Sequence, residues 1–340
     1  MQALVWRGPN DMVVDEIAQP APGPGEVLIA VRAVGICGSD IHGYTGASGR
    51  RAPGMVMGHE FAGEVVAQGP GIDMPAVGTR VAVNPLIYCG ECVDCHAGRE
   101  QLCRKRRSIG VNMGQHGGFA EFVTAPARNA IPLADSATFA EGTMAEPLAV
   151  GLRAATVAEP AAGQPLVILG GGTIGLCTLL ASRDRGVDPV YVTDVSAHKT
   201  EMIERLGGRP LDPRTVDLTA LGQEVTDGRG FAVIIDAVAV TGTIRQALPA
   251  LAPGGMLMLV GLATPAVEVG LYDLVPQERV IKSAYAYSAT EYRQAVEWLN
   301  TRRVNVGPLL EAHCSLADAP AMFARMARGE VEAVKVIVEV

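Results

Sequence analysis

The sequence predicts an α/β chain: an all-β barrel-like unit followed by a doubly wound parallel sheet. Three observations carry this. From Met1 to about Thr124, short runs of alternating character are separated by glycine and proline turns. Near Pro147 the character changes, and apolar strand-like runs begin to alternate with helical segments. That alternation is the pattern of a parallel sheet with crossover helices. Between the first such run and its helix lies Gly170-Gly171-Gly172-Thr173-Ile174-Gly175, a glycine turn of the kind that joins strand to helix in doubly wound sheets.

The elements follow in order. Glu26 to Gly35 alternates around Val27, Ile29, Val31 and Ala33, and Phe61 to Gln68 and Thr79 to Val83 repeat the pattern. Ala18 to Gly25 is a proline-glycine turn between strands. In the second half, Leu166–Leu169 reads as a strand with a helix from Thr173 onward, and Val190–Asp194 as a strand with a helix from Ser196 to Leu206. Ala232–Ala237 and Met256–Gly261 continue the strand series. After Ser283, Ser288 and Glu291 form a capping box, and Tyr292, Ala295, Val296 and Leu299 mark one apolar helix face. A helix from about Ala319 to Arg328 and a closing strand Val334–Val338 complete the chain. No internal repeat interrupts the order.

A length of 340 residues accommodates two domains, and 49% hydrophobic with 19% charged residues suits compact cores rather than disorder. The net charge of −8 offers no attraction for nucleic acid or an anionic membrane, so neither is expected as a partner. The one basic run, Arg104-Lys105-Arg106-Arg107, reads as a solvated face, with phosphate binding as the alternative. The opening residues Met1 to Trp6 read as a strand rather than an export signal, and the apolar stretch Leu166–Ala181 is too short to span a bilayer. Seven cysteines, four of them clustered, suggest metal ligands in a reducing compartment, with the cytoplasm as the expected location.

Three motifs carry chemistry. Cys89, Cys92, Cys95 and Cys103 can converge on one ion and fill all its positions, which makes such a zinc structural. His96 lies among them as a surface residue. The glycine turn has a strand before it and a helix after it, the context that makes a dinucleotide fingerprint meaningful. Gly170 makes the tight turn, Gly172 lets the backbone approach a pyrophosphate, and Gly175 lets helix pack on strand, with Thr173 and Ile174 opening the helix N-terminus. Asp194 ends the next strand, where a carboxylate accepts from ribose hydroxyls and repels a 2′-phosphate, favouring NAD over NADP. Lys199 nearby leaves some NADP tolerance. Finally, Cys37-Gly38-Ser39-Asp40-Ile41-His42 precedes Gly58-His59-Glu60, with Gly63, Gly69 and Ile72 beyond. A thiolate, an imidazole and a carboxylate close most of a tetrahedral zinc site and leave one position open for substrate. Cys177 and Cys314 read as packing residues.

In these residues and their order the chain resembles the zinc-dependent medium-chain alcohol dehydrogenases, in the sorbitol, threonine and butanediol dehydrogenase branch. The resemblance implies a GroES-like catalytic domain over residues 1–150 with the zinc lobe at 89–103, a Rossmann NAD-binding domain over 151–285, and a return to the catalytic domain over 286–340. It implies two zinc ions per chain, with Cys37 and His59 as ligands of the catalytic one. Either Glu60 or Glu146, in Ala145-Glu146-Pro147-Leu148, completes that set; both are metal-site residues, with Glu60 placed ahead as direct ligand. Asp40 is implied as the partner of the far nitrogen of His59. Val260, Gly261, Leu262, Ala284 and Tyr285 are implied to flank the nicotinamide. The expected reaction is reversible oxidation of a secondary alcohol or polyol-like hydroxyl to a ketone, hydride leaving a zinc-held alkoxide for the nicotinamide and the proton leaving through Ser39, a ribose hydroxyl and His42. A homo-oligomer is implied, a tetramer in preference to a dimer. The Arg-Tyr pair usual in sorbitol dehydrogenases is Ala286-Tyr287 here, which leaves a smaller diol, an inositol-like ring or a hydroxy-amino acid open as substrate. A zinc-free quinone or enone reductase of the same superfamily, and a non-catalytic zinc- and nucleotide-binding protein, are the competing readings. The first lacks the metal ligands present here, and the second has no need of Ser39, His42 or Asp194.

Overall fold

The computed structural model describes residues 1–49, 51–112 and 114–340, and the chain divides into two compact units. The first unit comprises Met1–Glu146 and Ser288–Val340, and the second Pro147–Tyr287.

The first unit is built on antiparallel strands. Glu26–Ile36 is its longest strand and pairs along one edge with Glu60–Gln68. Its other edge is shared: Phe122–Pro126 pairs with the first half, and the closing strand Lys335–Glu339 with the second. Arg80–Val83 and Ala130–Pro132 extend the sheet on one side, and Leu310–Ser315 runs parallel to the closing strand on the other. A smaller sheet joins Gln2–Gly8 to Asp11–Glu16 and Met55–Val56. Alternation along these strands puts Val27, Ile29, Val31, Phe61 and Val65 into one core with Phe119 and Phe323, whose rings meet edge to face at 5.4 Å.

Short helices are set among the strands of this unit. Gly38–Tyr44 forms a short helix, because Asp40 folds back to accept from the Cys37 N–H at 3.1 Å and so supports the first turn. Phe139–Thr143 is capped in the same way by Thr138 and Glu141. The helix Ala289–Asn300 has the capping box of Ser288 and Glu291, and its face of Tyr292, Ala295, Val296 and Leu299 is buried.

The second unit holds a six-stranded parallel sheet. Its order in space is Arg209–Leu211, Val190–Thr193, Leu166–Leu169, Phe231–Asp236, Leu251–Leu259, Val280–Ser283. The first three strands run in reverse sequence order and the last three in forward order, so the chain reverses direction between Leu166–Leu169 and Phe231–Asp236. In such sheets that switch point opens a crevice beyond the carboxyl ends of the strands. Val167, Leu169, Phe231, Ile234 and Leu257 form the core beneath. The strand expected at Met256–Gly261 ends at Leu259, because the N–H groups of Val260 and Gly261 turn away to the carbonyl of Asp236.

Candidate functional site

Four thiols meet in the lobe after Leu86–Ile87. The short helix Val93–His96 starts at Cys92 and carries Cys95, while Cys103 closes the turn Glu100–Leu102. The sulfur of Cys95 lies 3.8 Å from that of Cys89 and 3.5 Å from that of Cys92, and Cys103 lies 3.5 Å from Cys89. Four sulfurs at ordinary zinc–thiolate distance form a tetrahedron with edges of about 3.8 Å, so the donor set fits a zinc ion. The N–H of Glu91, with other donors, holds the Cys89 thiol down to about 6, whereas burial, together with the neighbouring thiols, pushes Cys95 up to about 12. A group of thiolates this close needs a bound dication to ionise fully. His96 and Arg104 to Arg107 are exposed around the lobe, and Lys105 pairs with Glu91.

The second cluster is assembled from distant strands. Cys37 follows the end of Glu26–Ile36, and His59 immediately precedes Glu60–Gln68, the strand paired with it. Gly35 stands opposite Glu60 in that pairing, which brings thiol, imidazole and carboxylate to one end of the sheet. One ligand atom from each of Cys37, His59 and Glu60 lies within 4.8 Å of the others. His59 and Glu60 are buried and Cys37 half-buried.

The surroundings of this cluster set its electrostatics. His59 Nδ1 stands 3.4 Å from Asp40 Oδ1, and neither atom has a closer polar partner among the described residues. Nε2 is left facing the opposite way, with the Ser39 hydroxyl 3.5 Å from it. Burial opposes charge on His59, but Asp40 outweighs it and, with Cys37, lifts the imidazole well above its usual range. Burial likewise opposes charge on Asp40, and His59 followed by Arg51 brings its carboxyl below the ordinary value. The arrangement holds the imidazole through Nδ1 and leaves Nε2 available, beside a thiol and a carboxylate, as a zinc ligand needs.

Glu60 has a partner that sequence reasoning missed. Both of its oxygens accept from the buried ammonium of Lys335, at 2.7 and 3.0 Å, and the same ammonium reaches the Ile36 carbonyl at 3.2 Å. Lys335 opens the closing strand, whose Val336 pairs with Ile36. A Cβ on Gly35 would run into the Glu60 carboxylate, so glycine there makes room for the ion pair. Nothing in the local sequence around Lys335 marks it; only the pairing of the last strand brings it here. Glu146 lies in the first turn of the helix Ala145–Ala158 and stands outside the group formed by Cys37, His59 and Glu60. The phenol of Tyr292 is buried beside Glu146 and Glu60, and burial, with the two carboxylates, holds it well above the usual range and therefore neutral. His42 is exposed in the last turn of the helix that carries Ser39 and Asp40.

In the second unit Gly170 to Gly175 lies at the carboxyl end of Leu166–Leu169, beside the switch point. Gly170 has φ +99°, and a Cβ on Gly175 would strike the Gly170 carbonyl, so the turn closes onto the helix Thr173–Asp184 only with glycine at both places. Asp194 Oδ2 accepts from the Gly171 N–H at 2.9 Å and Oδ1 from Ser196 N–H at 3.0 Å, with the Lys199 ammonium 3.5 Å away. Its carboxylate therefore sits directly over the glycine turn. Val260, Gly261 and Leu262 follow the end of Leu251–Leu259, and Ala284 and Tyr285 follow Val280–Ser283, all at the same end of the sheet. Cys177 is buried in the helix after the glycine turn, and Cys314 is half-buried in Leu310–Ser315, so neither joins a cluster.

The comparisons with known proteins agree with this architecture. Residues 23–135 match the family model of the alcohol dehydrogenase GroES-like domain, and residues 173–301 that of the zinc-binding dehydrogenases. The L-threonine 3-dehydrogenase of Pyrococcus abyssi is 32% identical over 305 residues, covering 87% of this chain and 86% of the relative. The (R,R)-butanediol dehydrogenase of Bacillus subtilis is 32% identical over 300 residues, covering 84% and 85%. Among solved structures, a zinc-binding dehydrogenase from Sinorhizobium meliloti bound to NADP superposes with a TM-score of 0.92 at 30% identity, covering 100% of this chain and 99% of that one. Fold, ligand clusters, glycine turn and relatives converge: the chain belongs to the zinc-dependent medium-chain alcohol dehydrogenase family and is an oxidoreductase.

Proposed function

We propose that the protein is an NAD-dependent dehydrogenase that interconverts a secondary alcohol or polyol-like hydroxyl and its ketone, with one structural and one catalytic zinc per chain. The observation that carries the reading is the convergence of Cys37, His59 and Glu60 within 4.8 Å, with Asp40 behind the imidazole and the Ser39 hydroxyl beside its free nitrogen. Cys37, His59 and Glu60 would hold the catalytic ion, and Cys89, Cys92, Cys95 and Cys103 the structural one. Glu146 serves beside the site rather than as direct ligand, in keeping with its place outside the close group. When bound, zinc supplies the Lewis acidity that lowers the pKa of a substrate hydroxyl, and the nicotinamide supplies the hydride acceptor.

The chain's own groups then have defined tasks. Ser39, a hydroxyl within reach of the ligand cluster, would accept the substrate proton as it gives up its own, and His42, from its exposed position, would pass a proton on to water. Asp40 fixes the tautomer and direction of His59. Gly170 to Gly175 receives the pyrophosphate at a helix N-terminus. Asp194 accepts from the ribose and disfavours a 2′-phosphate, while Lys199, in contact with it, moderates that preference. Val260, Gly261, Leu262, Ala284 and Tyr285 line the nicotinamide. Ala286 in place of an arginine favours a small diol, a ring polyol or a hydroxy-amino acid over a long open-chain polyol.

We place the enzyme in the cytoplasm, in keeping with seven cysteines that stand outside any disulfide, and as a homo-oligomer, a tetramer. Exposed Leu271, Tyr272, Val275 and Val280 beside the edge strand Val280–Ser283 are apolar surface that a second copy would cover. No helix among the described residues is long and apolar enough to cross a membrane.

A panel of secondary alcohols, polyols and amino alcohols, each with NAD and with NADP and followed by absorbance of the reduced coenzyme, tests the assignment. Turnover with at least one class, more efficient with NAD, is the expected result. Absence of turnover in the zinc-loaded protein would overturn the reaction, and greater efficiency with NADP would overturn the role of Asp194.

A further inference from the structure

We infer that Arg51 is a positioning residue for the catalytic metal: its guanidinium holds the buried Asp40 carboxylate in place as the acceptor for His59 and thereby sets how firmly that imidazole grips the ion. The inference rests on the reading of Cys37, His59 and Glu60 as a zinc site.

Arg51 follows no motif and lies in a loop between the helix Gly38–Tyr44 and the strand Met55–Val56, yet its side chain is only 3% exposed. Asp40 is fully buried. A carboxylate in that state is costly unless it is paired and hydrogen-bonded. Its two oxygens divide the work. Oδ2 accepts from the Cys37 N–H at 3.1 Å, which ties Asp40 to the backbone of one metal ligand. Oδ1 faces Nδ1 of the other ligand, His59, at 3.4 Å, and the Arg51 Nη2 stands 3.9 Å from that same oxygen. Arg51 therefore supplies the compensating cation for the one oxygen that the metal-binding imidazole uses.

The guanidinium is itself locked. Nη1 donates to the Val111 carbonyl at 2.6 Å and Nε to the Met57 sulfur at 3.0 Å. Gly43 leaves room for it, since a Cβ there would lie 2.8 Å from the Arg51 Nε. Met57 lies two places before His59, so Arg51 touches the segment that delivers the imidazole as well as the carboxylate that orients it. The geometry extends the chain of control outward: metal ligand His59, then Asp40, then Arg51. Outer partners of this kind change metal affinity by about 10- to 100-fold when removed. A lysine at the same place would keep the charge but not the planar fork that spans Asp40, Met57 and Val111.

A double-mutant cycle on zinc affinity tests the link, with the metal itself as probe and a chromophoric chelator as competitor. In the whole protein Arg51→Met should weaken the catalytic zinc about tenfold or more, with the four-cysteine zinc unchanged as internal reference. In the Asp40→Asn background the same substitution should change affinity by less than about twofold, because the group it acts through is gone. Arg51→Lys, the variant expected to fold in any case, should recover part of the loss. Equal losses in both backgrounds would show that Arg51 acts by packing against Met57 and Val111, and would overturn the inference. Wild-type affinity in Arg51→Met would overturn it as well. A wild-type protein that binds a single zinc per chain would instead overturn the metal-site reading beneath it.

Discussion

The cysteine lobe and the Cys37 cluster both gather metal-ligating side chains, and they are built in opposite ways. The lobe draws all four donors from one short stretch, Cys89 to Cys103, with three of them half-buried at the surface. Its partners are backbone N–H groups and neighbouring thiols of the same loop. The Cys37 cluster draws its donors from the adjoining ends of two paired strands, and its supports from elsewhere in the fold: Asp40 from a helix, Arg51 from a loop, Lys335 from the closing strand. Nearly all of it is buried. A closed set of four thiolates fills every position around its ion by itself and needs little from the fold. An open set with one exchangeable position must be held in shape by its surroundings, because substrate will occupy the gap. The difference teaches that a structural metal can be local, whereas a reactive one has to be architectural.

The strongest way to break this contrast is to remove one ligand from each site. His59→Ala should lower turnover on the order of 10³-fold or more, since it removes several kcal/mol of transition-state stabilisation. Its melting temperature should stay near wild type and its four-cysteine zinc should remain. Cys92→Ser should do the reverse, losing the structural ion and stability first. Comparable loss of stability in the two variants, read by thermal unfolding and zinc content, would erase the distinction.

Next in size is the ion pair beneath the open site. Lys335→Met strands the buried Glu60 carboxylate, and breaking one partner of such a pair costs about 3–5 kcal/mol. The double variant Lys335→Met with Glu60→Gln should regain most of that stability in denaturant unfolding while remaining poor in catalytic zinc. If the single and double variants unfold alike, the pair is not the support argued here.

Ser39→Ala sharpens the comparison within the open site, because Ser39 lies beside the ligands without belonging to them. Turnover should fall about 10²-fold, as for loss of a positioned proton carrier. Zinc content and NAD affinity should hold, since neither the ligands nor the glycine turn is touched. His42→Ala should be milder, because water can replace an exposed relay group. Steady-state kinetics beside a coenzyme titration separates the two effects; loss of NAD binding in Ser39→Ala would sink the relay.

The gentlest comparison uses no mutation. Brief exposure to a chelator should remove one of two zinc equivalents together with activity, leaving the melting temperature nearly unchanged, since three protein ligands release an ion more readily than four thiolates. Simultaneous release of both ions would place the two sites in one stability class.

Much of this was legible in the chain itself, and the limits fall where physics puts them. Cys89, Cys92, Cys95 and Cys103 declare themselves because their donors are neighbours in sequence, and Gly170 to Gly175 because a strand, a glycine turn and a helix follow one another directly. The capping box of Ser288 and Glu291 was readable for the same reason: a helix start depends on residues three apart. The helix Gly38–Tyr44 was not, because its stability comes from one back-folded aspartate among glycines that argue for a turn. Arg51 and Lys335 carry no local signature. A lone cation in a loop or at the head of a strand is most often a surface residue, and only the pairing of Lys335–Glu339 with Glu26–Ile36, and the burial that follows, turns it into a partner of Glu60. Tyr292, readable as one more apolar contact, proves to be a buried phenol whose ionisation burial and two carboxylates oppose. The sequence by itself determined which side chains are candidates for metal and coenzyme, since short-range spacing decides ligand type and turn chemistry. The tertiary structure alone decided which charges compensate them, because compensation inside a low-dielectric core depends on distance in space and not along the chain.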